Sequence, residues 1–238
     1  MSSFLLDNYL EIYRGAEILA ALTGLIFYKK FKSKAARIFI WFLIYVQIIE
    51  TLAGYPSFIK NSDNFEWLDT IVKDTIFREN YWFYDIFWTI IGSLIISYYF
   101  YLVSKDAFLK KIIKVSSLLF LIISIVFIGI NLDILFYNLL LSLEILSLIL
   151  ILLVTFSYYV ELLNSEKILD FYKSLSFYVA SGVLVFWIVI TPMSFYEKYY
   201  NVNDAAFVAL KTYIYLFSIV FMYLAFTIGF IVSKPEHD

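Results

Sequence analysis

Long apolar stretches alternate with short polar segments along the whole chain, and this pattern predicts membrane-spanning helices. A helix needs about 20 mostly apolar residues to cross a hydrocarbon core of roughly 30 Å. Seven runs meet this requirement: 9–28, 36–55, 82–103, 111–130, 136–162, 171–194 and 205–232. We therefore predict an all-α polytopic membrane protein, in which a single domain forms a bundle of seven transmembrane helices.

The positions of lysine and arginine predict how this bundle is oriented. Basic residues concentrate in the loops on the cytoplasmic side of a membrane. Twelve of them lie in one alternating set of segments and four in the other: Lys29, Lys30, Lys32, Lys34, Arg37, Lys105, Lys110, Lys111, Lys114, Lys167, Lys173 and Lys234 against Lys60, Lys73, Arg78 and Lys198. We predict an outside N-terminus and a cytoplasmic C-terminus. Richness in Ile, Phe, Tyr, Lys and Asn is typical of an AT-rich bacterial source, and favours the inner membrane.

The segment 56–80 is the longest predicted outer loop. Its apolar positions from Trp67 to Phe77 recur at roughly helical spacing. We predict a short amphipathic helix there, which rests on lipid at the outer face. The alternative is a lid over a binding cavity.

Composition supports the membrane assignment and excludes several kinds of chemistry. Hydrophobic residues make up 63% of the chain, against roughly 45–50% in soluble domains, and the mean hydropathy is +0.84. The chain has no cysteine, and its only histidine is His237. Thiolate nucleophiles, metal sites built on Cys or His, and Ser-His triads are therefore absent. A net charge of −2 gives no support for nucleic-acid binding. We predict a non-enzymatic protein without metal or cofactor.

Ionisable residues inside the predicted spans are the main functional signal, because such groups are costly in hydrocarbon. All fall in the predicted outer half of the bundle. With the neighbouring glutamine, they form the predicted set of ligand-cavity or ion-pair residues: Glu11, Arg14, Glu17, Gln47, Glu50, Asp85, Glu144 and Lys211. Five of these residues are acids and two are bases, so pairing leaves three acids without a cation.

Three explanations for this excess of acids stay open. Some acids are protonated, a cationic ligand joins them, or Glu11, Glu50 and Asp85 reach water. Buried pairs such as Glu17–Arg14 and Glu144–Lys211 could also serve only to fix the positions of the helices. A conduction path is less favoured, because no charge continues through the inner half of the spans.

Small residues at four-residue intervals predict close helix packing. Ala16, Ala20 and Gly24 form one such stripe, and Ala225 with Gly229 forms another. Packing within the chain is the expected use of both stripes, and a homo-oligomer is the alternative.

The chain resembles microbial rhodopsins in a few positions. It has Lys211 in the seventh run, Asp85 in the third, and Trp187 and Pro192 in the sixth. The resemblance implies a retinal on the lysine. However, the position one turn before Lys211 is Phe207 where the family has an aspartate, and the third run lacks the family's arginine. Retinal binding is therefore retained only as an alternative.

Residues 161–192 (ELLNSEKILDFYKSLSFYVASGVLVFWIVITP) and 17–34 (EILAALTGLIFYKKFKSK) resemble a family of small bacterial seven-helix membrane proteins with no assigned activity. This resemblance implies a sensory or regulatory accessory role, and it transfers no functional residue. We expect a receptor-like module with an outward-facing polar cavity, in contact with the lipid bilayer. Its basic inner loops would meet anionic lipid or a signalling partner. A small transporter or ion pathway and a lipid-acting enzyme are the alternatives.

Overall fold

A computed structural model of the chain describes residues 2–61, 65–197 and 205–235. Within these ranges the chain is helical and contains no β-strand, which confirms the predicted all-α class. Lys198 and His237 lie outside the described residues. The described body contains seven long helices: α1 (Tyr9–Ile26), α2 (Lys34–Ala53), α3 (Tyr81–Val103), α4 (Ala107–Ile130), α5 (Leu141–Leu163), α6 (Leu175–Glu197) and α7 (Ala205–Val232).

Six of these helices, α2 to α7, are long and apolar enough to cross a membrane. The chain is therefore a multi-pass membrane protein in a lipid bilayer. Helix α1 has 18 residues, but Glu11, Arg14 and Glu17 interrupt its apolar surface. A seventh span, and the side of the membrane on which each end lies, stay predictions.

Three predicted helix starts are wrong by four or five residues, and in the first of these the fourth helix begins earlier than predicted, at Ala107 and not at 111. The fifth helix begins at Leu141 and not at 136, because a four-residue helix, Leu132–Leu135, and a turn precede it. The sixth begins at Leu175 and not at 171, because a 3-10 helix, Glu166–Lys173, precedes it and breaks at Asp170 (φ −121°, ψ 20°). Both segments are partly apolar, and apolarity alone does not distinguish a turn from the first turn of a helix.

The segment between α2 and α3 folds into two short helices, Tyr55–Asn61 and Glu66–Val72. The predicted amphipathic helix thus exists but ends five residues before Phe77. It ends in a turn in which the Thr75 hydroxyl donates to the Val72 carbonyl. Glu66–Val72 buries none of its residues, so its apolar side chains are available to lipid.

The long helices form a ring of six with one helix outside it. Going round the ring, α1 packs on α2, α2 on α3, α3 on α5, α5 on α6, α6 on α7, and α7 on α1. Helix α4 packs on the outer side of α3 and α5. It buries only Ile113, Phe120 and Ser124, so most of its surface faces away from the protein.

The predicted small-residue stripes lie at contacts within this ring. Ala20 is fully buried, and a Cβ added at Gly24 would come within 3.2 Å of the Phe230 ring of α7. At the contact between α6 and α7, a Cβ on Gly229 would meet the Tyr178 Cβ at 2.8 Å. The backbones approach this closely only because a side chain is missing there. The stripes therefore serve packing inside one chain, and the homo-oligomer stays untested.

Candidate ligand cavity

One end of the ring encloses a cavity of about 290 Å³, here named the carboxylate cavity. Its walls come from the beginnings of α1, α3 and α5, the ends of α2 and α6, and α7; α4 contributes no residue. The side chains that line it are mostly aromatic or acidic: Tyr9, Tyr13, Glu17, Glu50, Tyr84, Trp88, Thr89, Leu139, Glu144, Phe186, Ile190, Ser194, Tyr215, Ile219, Met222 and Tyr223.

Glu17 is the most deeply buried carboxylate of this cavity, with 4% of its surface exposed. It lies on the side of α1 that carries buried Ala16 and Ala20, so the packing of α1 turns it inward. Its Oε2 atom has no hydrogen-bond partner within the described part of the chain. Gln47 and Tyr223 are its polar neighbours. A buried carboxylate oxygen without a donor is costly, and a ligand that donates to it would remove that cost.

Glu50 lies at the end of α2, half-buried, and accepts a hydrogen bond of 3.2 Å from the Tyr84 hydroxyl. Arg14 is a cationic neighbour of both Glu17 and Glu50, but its side chain is exposed and contacts Tyr13. No ion pair within 4.0 Å joins Arg14 to either acid in the described residues. The predicted Glu17–Arg14 ion pair therefore does not form, although the two charged groups are neighbours.

Aromatic rings cover much of the remaining wall. Tyr9 and Tyr13 contact each other with ring centroids 5.2 Å apart, and Trp88 stacks on Trp187 at 6.0 Å. The electron-rich faces of such rings attract cations. The same preference appears at the cavity edge, where Lys211 Nζ lies 5.6 Å from the centroid of the Tyr215 ring.

A nine-residue π-helical segment, Tyr84–Gly92, forms the part of α3 at the cavity. The wider turn places Tyr84 and Thr89, five residues apart, on the same wall. The hydroxyl of Tyr45 on α2 donates a 2.6 Å hydrogen bond to the Phe87 carbonyl inside this segment. Short π segments of this kind are frequent at functional sites.

Beneath the cavity, three polar side chains form a buried cluster. Ser147 accepts a 2.7 Å hydrogen bond from Trp187 Nε1, and its hydroxyl shares another of 2.7 Å with the Ser93 hydroxyl. Ser147 and Trp187 border a small void of about 50 Å³, which Glu144 also lines. Further along the ring axis the core is mostly apolar, with buried side chains such as Ile96, Ile151 and Phe226, and its buried polar groups are uncharged hydroxyls such as those of Ser97 and Thr155.

The structure brings together only part of the predicted set. Glu17, Glu50 and Glu144 line the cavity, and Gln47 and Arg14 lie beside it. The other three residues do not line it: Glu11, which is exposed, Asp85 and Lys211. The idea that Asp85 reaches water is wrong, because its exposed fraction is 0%. Within the described parts of the loop, 56–61 and 65–80, no residue lines the cavity, so the lid alternative gains no support.

Sequence reasoning did not identify which aromatic residues form the cavity wall, and it missed the serine–tryptophan cluster. Tyr9, Tyr13 and Glu17 follow one another at four-residue spacing, so the inward face of α1 is visible in the sequence once Glu17 is placed. Ser93, Ser147 and Trp187 carry no such signal, because they come from three different helices.

Comparisons of the chain with protein-family models, with curated proteins and with solved structures give no match. The resemblance to small bacterial seven-helix proteins therefore stays a prediction, and function must be inferred from the cavity itself.

Proposed function

We propose that this protein is a seven-helix membrane receptor or sensory module that binds a small organic cation in the carboxylate cavity. One observation carries the proposal: every charged residue in the wall of the cavity is a carboxylate, and more than half of the other lining residues are aromatic. An ammonium group would donate to the unsatisfied Oε2 of Glu17 and lie against the faces of the tyrosines. The outward orientation of this end is part of the proposal.

The core beyond the cavity, which is mostly apolar and contains no buried charged residue within the described part of the chain, favours a receptor over an open conduit. Side chains such as Leu43, Val154 and Val183 are fully or almost fully buried there. A binding event at one end would then act by changing how the ring helices pack, and a partner at the other end would sense that change.

A cation or proton pathway is the second candidate, and the void beside Ser147 favours it. Glu144 and the side chains of Ser147 and Thr191 line this void together. The two candidates differ in flux: a pathway predicts uptake of a cation into vesicles that Glu17→Gln abolishes. Binding with no flux supports the receptor.

Thermal unfolding of the purified protein in detergent tests the binding proposal. The probes are 2-phenylethylamine and 2-phenylethanol, which have nearly the same shape and differ in charge. The amine should raise the unfolding temperature, because a ligand at one hundred times its Kd stabilises a protein by about 2.7 kcal/mol. The alcohol should not.

Two variants on the same helix locate the effect. Glu17→Gln should lose the response to the amine. Glu11→Gln removes the same charge from an exposed position outside the cavity and should keep the response. An equal response to amine and alcohol, or an unchanged response in Glu17→Gln, would overturn the proposal.

A further inference from the structure

A second cavity, here named the distal cavity, lies at the opposite end of the ring and also measures about 290 Å³. It lies where α3 and α5 end and where α2 begins. The segment after α7 closes one side, since the Lys234 backbone N–H donates a 2.8 Å hydrogen bond to the Lys173 carbonyl. Because it adjoins the ends of apolar helices that are long enough to cross the membrane, it lies at the level of lipid headgroups.

Two acids, Glu161 and Asp170, line the distal cavity together with three lysines: Lys105, Lys173 and Lys234. Both acids are already engaged by the protein. Glu161 accepts hydrogen bonds of 2.6 Å from the Ser104 hydroxyl and from the Lys105 backbone N–H. Asp170 accepts one from Lys173, and this bond holds the pKa of the Asp170 carboxyl below its usual range.

The ammonium groups of the other two lysines, Lys105 and Lys234, therefore remain available to donate hydrogen bonds to a ligand. Neither has a carboxylate within 4.0 Å among the residues that the structure describes. The cavity wall also includes Ser33 and Ala35, where the 20-residue helix α2 begins. The amino end of a helix carries partial positive charge, which adds to the charge of the two lysines.

We propose that the distal cavity binds a phosphate-bearing anion, with Lys105 and Lys234 as the residues that hold its charge. The two lysines reach the cavity from the α3–α4 turn and from the segment after α7, so one anion would tie these two segments together. This site does not depend on the function proposed for the carboxylate cavity. The anion is either the headgroup of an acidic phospholipid or free phosphate.

Thermal unfolding in a zwitterionic detergent distinguishes these sources. The probes are short-chain phosphatidylglycerol, short-chain phosphatidylcholine, and sodium phosphate against sodium chloride at equal ionic strength. We expect phosphatidylglycerol to raise the unfolding temperature by about 3 °C or more when its concentration far exceeds its Kd. A rise with phosphate alone identifies a free-phosphate site, and a rise only with phosphatidylglycerol identifies a lipid site.

Matched double variants test the assignment of the two lysines. Lys105→Gln with Lys234→Gln should remove the response, because each charged hydrogen bond lost weakens binding about tenfold or more. Both side chains are exposed, so the fold should tolerate the change. Lys29→Gln with Lys32→Gln removes the same charge from exposed positions outside the cavity, and should keep the response.

The number of phosphatidylglycerol molecules retained in native mass spectrometry gives a second readout that does not depend on stability. The wild type should retain one molecule more than the Lys105→Gln, Lys234→Gln variant. No response to either anion overturns the proposal. Equal losses in the two double variants also overturn it, since they would show general attraction to surface charge.

Discussion

The backbone N–H of Leu140 donates a 3.0 Å hydrogen bond to Oδ2 of Asp85, so a buried carboxylate on α3 fixes the turn that leads into α5. Asp85 is completely buried. Leu139, the residue next to Leu140, lines the carboxylate cavity. The hydrogen bond therefore supports the cavity wall from behind and sets where α5 begins.

Replacing Asp85 by alanine should destabilise the protein by about 1–3 kcal/mol, because the Leu140 N–H loses its acceptor inside the protein. Asp85→Asn keeps an oxygen at the same place and should cost less. Unfolding by SDS in mixed micelles measures both. Asp133→Ala changes an exposed aspartate near the same turn and serves as the control. Equal losses for Ala and Asn at position 85 would contradict this role of the hydrogen bond.

Gly229→Ala should destabilise the contact between α6 and α7 by about 1–3 kcal/mol. The new methyl group would lie 2.8 Å from the Tyr178 Cβ and 3.1 Å from Leu175 Cδ1. A Cβ cannot swing aside without moving its backbone, so the helices must separate. Gly129→Ala on α4 is the matched control, since nothing lies within 4 Å of its added Cβ. A Gly229→Ala protein as stable as the wild type would show that the contact can widen without loss.

Ser147→Ala should destabilise the protein by about 1–3 kcal/mol, because the buried Trp187 indole N–H would lose its acceptor. Tryptophan fluorescence should shift in the same variant. Ser124→Ala provides the contrast, because the Ser124 hydroxyl is fully buried and has no hydrogen-bond partner in the described part of the chain. Its removal should leave stability unchanged or raise it. A reversed order of the two variants would contradict the assigned partners.

Tyr45→Phe should loosen the π-helical segment Tyr84–Gly92, because the Phe87 carbonyl loses its side-chain donor. The expected cost is about 0.5–1.5 kcal/mol, and amide hydrogen exchange should rise within this segment. Tyr137→Phe removes a hydroxyl from a mostly exposed tyrosine, and should change neither quantity. Unchanged exchange in Tyr45→Phe would mean that packing alone holds the π turn.

The helices were predictable because apolar runs leave few alternatives in a membrane. The third run was predicted to begin at Trp82 and begins at Tyr81. The start of α5 was not predictable, since it depends on Asp85, a residue 55 positions away that accepts from Leu140. Local hydropathy contains no information about such a partner.

The same distinction holds for the cavity. Glu17 and Glu144 stood out because a charge in an apolar run is visible without knowledge of the neighbouring helices. The Ser147–Trp187 bond was invisible, because it depends on which faces of α5 and α6 meet. Helices that are apolar on every side, as these are, have no periodic pattern from which the contacting faces could be predicted.

The position of α4 outside the ring has a topological consequence. Helices α3 and α5 are neighbours in the ring, and both begin at the end that holds the carboxylate cavity. Two parallel neighbours cannot be joined by a tight turn, so the chain needs a crossover, and α4 is that crossover. Its sequence must therefore satisfy length, hydropathy, the packing of Ile113, Phe120 and Ser124, and the 2.6 Å hydrogen bond between the Ser117 and Ser97 hydroxyls. The side of α4 that faces away from α3 and α5 can vary without disturbing either cavity, because no residue of α4 lines one of them.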